Sequence, residues 1–254
     1  MIDGEMRTVV GHYGRNGYYY QLDRTNGGFI NATQYVSQVT WTAGIDAKTG
    51  HPVEYDPALA VQTMIPATRI ARDNPAVEVC PSHLGGVRWQ PTAYNPITHI
   101  AYVAGSDACS SLTNAPEVPN PAGGNPRGVG QVWLGGTGTA HPDPGLIAAI
   151  DVTTGQVIAT AHPPQHNLAG VLATAGGLIF TGGQDGAIAA YNDQTLEEMW
   201  RFNGGIPIKS PPISYAIGDQ QFIAIIAGAS GGGGYAELTA QGPRAGAMLY
   251  VFGL

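Results

Sequence analysis

Charge is what this chain has least of. Only 11% of its 254 residues are Asp, Glu, Lys or Arg, against about 25% in an ordinary soluble domain, which excludes long helices with charged outer faces as its main architecture. Basic residues number 11 against 18 acidic ones, for a net charge of −7. A basic face of the kind that binds phosphate backbones is therefore excluded, and nucleic acid is not an expected partner. No uninterrupted apolar run reaches the roughly 18 residues of a membrane span, so none is expected. Met1 to Arg7 lacks a basic segment followed by an apolar one and does not read as a signal peptide. A strand entered at once, Thr8-Val9-Val10-Gly11, suggests a chain cut from something longer.

Cysteine is nearly absent. Cys80 and Cys109 are the only two, outside any Cys-x-x-Cys, zinc or haem-attachment pattern, and they allow one disulfide or two free thiols. An even count in a glycine-rich, strand-rich chain favours a bridge made in an oxidising compartment. No His-x-x-x-His spacing, P-loop or Gly-x-Ser-x-Gly elbow is present. His12, His51, His83, His99, His141 and His162 read as surface or core histidines.

Turn formers are abundant, with 37 glycines and 19 prolines, as many short strands joined by tight turns require. A unit recurs in which an apolar strand runs into Asp or Asn, then a Thr-Gly-like turn, then a second strand. Its copies are Tyr18 to Gly27, Ile45 to Gly50, Ile147 to Gly155 and Ala189 to Thr195, the last without its glycine. Gly177 and Gly218 are 41 residues apart, as are Asp151 and Asn192. A period of roughly 40 to 50 residues suits four short strands per repeat, the size of a propeller blade. The Pro- and Gly-rich stretch from about 114 to 144 reads mostly as a long loop inserted between blades, and 56 to 79 as a lesser connection. The remainder makes about four blades. Asp193 to Trp200 is expected to turn rather than to form a helix.

Cys80-Pro81-Ser82, then Gly85-Gly86-Val87-Arg88-Trp89, Ala93-Tyr94-Asn95-Pro96 and Cys109 beyond the next strand together resemble the C-terminal half of the quinoprotein alcohol dehydrogenases. These are the pyrroloquinoline-quinone (PQQ) enzymes of the methanol and ethanol dehydrogenase type. Gly14-Arg15-Asn16-Gly17 running on to Gly27, Gly176 to Phe202, and the ending Leu249-Tyr250-Val251-Phe252-Gly253-Leu254 extend the resemblance over nearly the whole chain. It implies an all-β fold, about half of an eight-bladed propeller ring, with a Cys80–Cys109 disulfide and a periplasmic location. PQQ and Ca²⁺ are the implied cofactors, an alcohol the implied substrate. An aspartate acts as base there while hydride passes to the quinone.

Carried over position by position, the resemblance implies that Arg15 hydrogen-bonds the reactive carbonyl oxygens of PQQ, where a fixed cation stabilises developing negative charge. Arg88 stands where an asparagine usually contacts the cofactor and can donate to a PQQ carboxylate or carbonyl, with Trp89 beside it as pocket wall. In His166-Asn167-Leu168-Ala169-Gly170, Leu168 occupies the family's cofactor run and polar contact falls to Asn167. Ser230 and Gly231 lie in a loop that often carries Trp-Gly-Gly. The family's catalytic aspartate, calcium ligands and adjacent-cysteine disulfide fall N-terminal to Arg15 and have no counterpart in these residues. A quinohaemoprotein, with a cytochrome module after Leu254, is not expected. The expected chain is thus a contributor of cofactor-pocket residues, paired with the other half of the ring or with a second copy of itself, and served by a cytochrome c-type electron acceptor. The alternative expectation is a non-catalytic propeller module for binding or assembly.

Overall fold

The computed structural model of the protein describes residues 2, 4–69, 76–114, 133–134, 137–138, 142–228 and 247–253. Strands β1 (Val9–Tyr13), β2 (Tyr18–Asp23) and β3 (Phe29–Gln34) form an antiparallel sheet, the first blade. After a 3-10 turn at Pro66–Thr68 come β4 (Val77–Val79), β5 (Ala93–Asn95), β6 (Ile100–Ser106), β7 (Cys109–Asn114), β8 (Trp133–Leu134), β9 (Thr137–Gly138), β10 (Gly145–Asp151) and β11 (Gln156–Ala161). Of these, β5, β6, β10 and β11 build the second blade in the order β11-β10-β6-β5. The rest form a side sheet in which β7 pairs with β4, β8 and β9. The third blade takes β12 (Val171–Ala173), β13 (Leu178–Gly182), β14 (Ala187–Asn192) and β15 (Glu198–Asn203) in sequence. The fourth takes β16 (Ile213–Ile217), β17 (Gln220–Ala227) and β18 (Met248–Gly253). No α-helix occurs among the described residues, and none is long and apolar enough to cross a membrane.

Blade packing explains a pattern that simple alternation would not produce. Every described position of β6 is buried, and so is every position of β10 except Asp151. Ala101, Val103, Leu146, Ala148 and Ile150 face Tyr13 and Tyr19 of the first blade. Their neighbours Tyr102, Ala104, Ile147 and Ala149 face Val171, Ile179 and Ala189 of the third. A strand buried on both faces reads as a continuous apolar run, as these do. The same logic carries Ile188 and Phe180 of the third blade onto Ile225 and Ile223 of the fourth.

The recurring turn keeps one geometry in all four copies. The N–H of its fifth residue (Gly27, Gly50, Gly155 or Leu196) donates to the carbonyl of its first (Asp23, Asp46, Asp151 or Asn192) at 2.8–3.0 Å. The side-chain oxygen of that first residue also accepts the N–H two residues on, at 2.7–3.0 Å. The fifth residue has φ of 74°, 73°, 70° and 56° respectively, the left-handed region that favours glycine. Three copies join the last two strands of a blade. The fourth departs from the expected repeat: Ile45 to Gly50 lies between bridge partners Ile45 and Pro52 outside any blade, and Gly50 approaches the Phe29 ring from the outer side.

That extension covers the outer face of the first blade, with Trp41 edge-on to Tyr18 at 6.1 Å and its indole N–H on the Asn16 carbonyl at 2.9 Å. The fourth blade has no such cover among the described residues. Ile213, Tyr215, Ile217, Ile226, Leu249 and Val251 share one face by register, and all are exposed, Ile217 to 67% and Leu249 to 61%.

Most of 114–144 lies outside the described residues, but β8 and β9 show that the stretch supplies short strands to the side sheet as well as loop. Asp193 begins a turn that leads into β15, as expected from the repeat.

Candidate functional site

Antiparallel order sorts the loops by end. The recurring Asp turns close one end of the blades; the turns between β1 and β2 and between β13 and β14, and the connectors leading into β5, β12 and β16, gather at the other. Arg15, Arg88, Trp89, Asn167 and Leu168 therefore fall at one end of the structure, as does Lys209.

The two inter-strand turns are equivalents. In Gly14-Arg15-Asn16-Gly17 the Gly17 N–H donates to Gly14 at 3.2 Å and the Gly14 N–H to Tyr18 at 2.7 Å. Gly183-Gln184-Asp185-Gly186 repeats this at 3.1 Å and 2.8 Å. Asn16 Oδ1 and Asp185 Oδ1 each accept the N–H two residues on, and Gly17 and Gly186 both have positive φ. Arg15 and Gln184 thus occupy one structural position in two blades. Gln184 is buried, donates to the Ile208 carbonyl at 2.9 Å, and has an unpaired side-chain oxygen. Arg15 is exposed and its guanidinium donates to the His83 carbonyl.

Around Arg15 the chain is tied in several places. Cys80 and Cys109 form a disulfide, with Cα atoms 4.4 Å apart. Ser110 Oγ pairs with His83 Nδ1 at 2.8 Å. His166, 5% exposed, pairs through Nδ1 with Ser106 Oγ at 3.0 Å. Burial, then proximity to His83, lowers its pKa and favours the neutral ring. Burial alone lowers that of Lys209. Two carboxylates in the loops at this end are engaged: Asp107 accepts the Ser37 N–H at 3.1 Å, and Asp185 meets Arg201 at 3.4 Å.

Arg88 and Trp89 are exposed, and the Arg88 N–H donates to Gln90 Oε1 at 2.8 Å. Asn167 is turned inward: its amide donates to Thr181 Oγ1 at 2.9 Å and its oxygen accepts the Ala169 N–H at 3.1 Å. Leu168 is buried beside it. Ser230 and Gly231 lie outside the described residues. His83, Ser106, Ser110 and Gln184 were invisible as site neighbours in the sequence. Ser110 follows a half-cystine and Gln184 repeats the turn position of Arg15, and those were the only signals.

Arg15 and Arg88 put two exposed guanidinium groups, with the exposed Trp89 indole, at this end of a chain whose net charge is −7, and guanidinium groups suit an anion. Among the described residues, the one group of three candidate metal ligands is Glu78 with Cys80 and Cys109. Its two sulfurs are bonded to each other, so it offers no ordinary metal site.

No protein-family model matches the chain. The quinoprotein ethanol dehydrogenase of Pseudomonas putida is 37% identical over 242 residues, 93% of this chain and 38% of that protein. The quinoprotein ethanol dehydrogenase of Pseudomonas aeruginosa is 34% identical over 99% of the chain and 40% of its own length. Among solved structures, a europium-containing methanol dehydrogenase superposes with a TM-score of 0.78 at 25% identity, over 100% of this chain and 46% of that one. The chain thus spans about two-fifths of the curated relatives named here.

Proposed function

Because the chain belongs to the quinoprotein alcohol dehydrogenase family, we propose that it supplies the C-terminal side of a PQQ pocket in an enzyme that oxidises a primary alcohol, or a related polyol or sugar, to the aldehyde or ketone. PQQ is a planar quinone with several carboxylates, and it supplies the two-electron acceptor chemistry when bound. Arg15 and Arg88 suit its anionic groups, and the position of Arg15 in an exposed turn, held by a backbone carbonyl, is the observation that carries the reading. The guanidinium would bind and orient the quinone oxygens and remain protonated throughout. Trp89 would form part of the wall. The general base and the Ca²⁺ ligands would come from the remainder of the ring, and the europium of the solved neighbour makes a lanthanide the metal to compare with calcium.

The apolar face of the fourth blade, uncovered among the described residues, supports a ring partner there, either the other half of the propeller or a second copy of this chain. A periplasmic location and a cytochrome c-type acceptor go with the same reading, and the disulfide suits an oxidising compartment. A dye-linked alcohol oxidation assay with PQQ and Ca²⁺ tests it. Activity should require the complementary half; robust turnover by these 254 residues alone would contradict the assignment of roles. The inward-turned Asn167 and buried Leu168 favour one competitor, a propeller module without redox chemistry, which saturable PQQ binding dependent on Arg15 would exclude.

A further inference from the structure

Arg15 is gripped from outside its own turn. Its guanidinium donates to the His83 carbonyl, and its own carbonyl accepts the Gly86 N–H at 3.0 Å. Gly85, with φ +76°, lies so close that a Cβ there would collide with Arg15 Cγ and stand 2.7 Å from the Arg15 carbonyl oxygen. The segment making these contacts is fixed in turn from its far side. Cys80 is bonded to Cys109, and the Ser82 N–H donates to the Ala108 carbonyl at 2.6 Å. Ser110 Oγ accepts the His83 N–H at 3.2 Å besides pairing with the His83 ring. These anchors all sit on Ala108, Cys109 and Ser110, where β7 of the side sheet begins. Ser110 has 0% exposure, so water cannot replace its two bonds.

We propose that the start of β7 aims Arg15. Ser110 and His83 are positioning residues: Ser110 fixes the backbone of His83, whose carbonyl then sets the direction of the guanidinium. A long flexible side chain needs such a fixed acceptor to present one orientation. The functional meaning rests on Arg15 contacting PQQ; the geometric claim does not.

Arginine modification by phenylglyoxal, followed residue by residue by mass spectrometry, tests it, with exposed Arg24 as internal reference. Arg15 should react more slowly than Arg24. Ser110→Ala and His83→Ala should each raise the Arg15 rate about fivefold, the equivalent of one net hydrogen bond, with Arg24 unchanged. His83→Asn, which keeps an acceptor near the place of Nδ1, should restore the slow rate. An Arg15 rate equal to that of Arg24 in the unaltered chain, unchanged in both alanine variants, or rising only together with Arg24 would overturn the proposal. A parallel PQQ titration separates the two readings. A response confined to Arg15 without saturable PQQ binding supports the positioning and contradicts the cofactor contact.

Discussion

The side-chain amide of Gln21, in the first blade, donates to the Val152 carbonyl in the β10–β11 turn of the second at 2.7 Å, across an interface that is otherwise mainly apolar. Gln21 is 1% exposed, so the bond is sealed from water. Gln21→Leu keeps the volume and leaves the carbonyl unpaired, which costs about 1–3 kcal/mol. The urea midpoint should fall accordingly, with the slope unchanged.

Leu196 holds a conformation that its three equivalents assign to glycine, with φ 56°. It is also 3% exposed in the core between the second and third blades. Leu196→Gly relieves backbone strain of about 1–2 kcal/mol but removes a buried leucine, a loss of about 2–5 kcal/mol. Packing wins: the variant should be less stable by about 2 kcal/mol. Thermal unfolding checks it, and a more stable variant would place the strain above the packing.

His166 makes stability depend on pH with a definite sign. Burial, then His83, hold its pKa below the ordinary 6.5, so between the folded value and 6.5 the unfolded chain binds the extra proton. The contribution is complete above that range and is lost as pH falls through it. Denaturation midpoints should be flat from about pH 7.5 to 8 and decline below about 6.5. His166→Gln should flatten that decline. The aspartates with lowered values, Asp23, Asp46 and Asp151, act later, as pH falls below the ordinary 3.8.

The apolar face of the fourth blade, uncovered among the described residues, should make the isolated chain associate, since exposed apolar sheet faces and edges do so. Ile217→Asp with Leu249→Asp puts two charges on that face without touching the core side of the blade. Sedimentation should show concentration-dependent association for the unaltered chain and a monomer for the double variant. A chain that stays monomeric at high concentration in both forms would remove the case for a partner there.

The blades were legible because their cause is local. The 41-residue spacing, the Asp turns and the apolar runs of β6 and β10 each follow from strand pairing and two-sided burial, and the four-blade count came through unchanged. The copy at Ile45 to Gly50 misled for the same local reason: its turn chemistry is identical, and only the long-range contacts of Gly50 with Phe29 and Trp41 with Tyr18 make it a cover rather than a blade. Arg15 and Arg88 could be named as candidates from the sequence because they carry their charge wherever they stand. Asn167 shows the limit, since which way a polar side chain points depends on Thr181, 14 residues on. His83 and Ser110 were hidden because the disulfide and the side sheet bring them to Arg15 from 68 residues away or more.

Titration of PQQ against the 254-residue chain, read by protein fluorescence and quinone absorbance, decides whether Arg15 meets the cofactor. Binding should be saturable and should weaken about tenfold or more in Arg15→Ala, the loss of one charge-assisted hydrogen bond, and less in Arg88→Ala. Binding that is absent, or unchanged by Arg15→Ala, would contradict that contact.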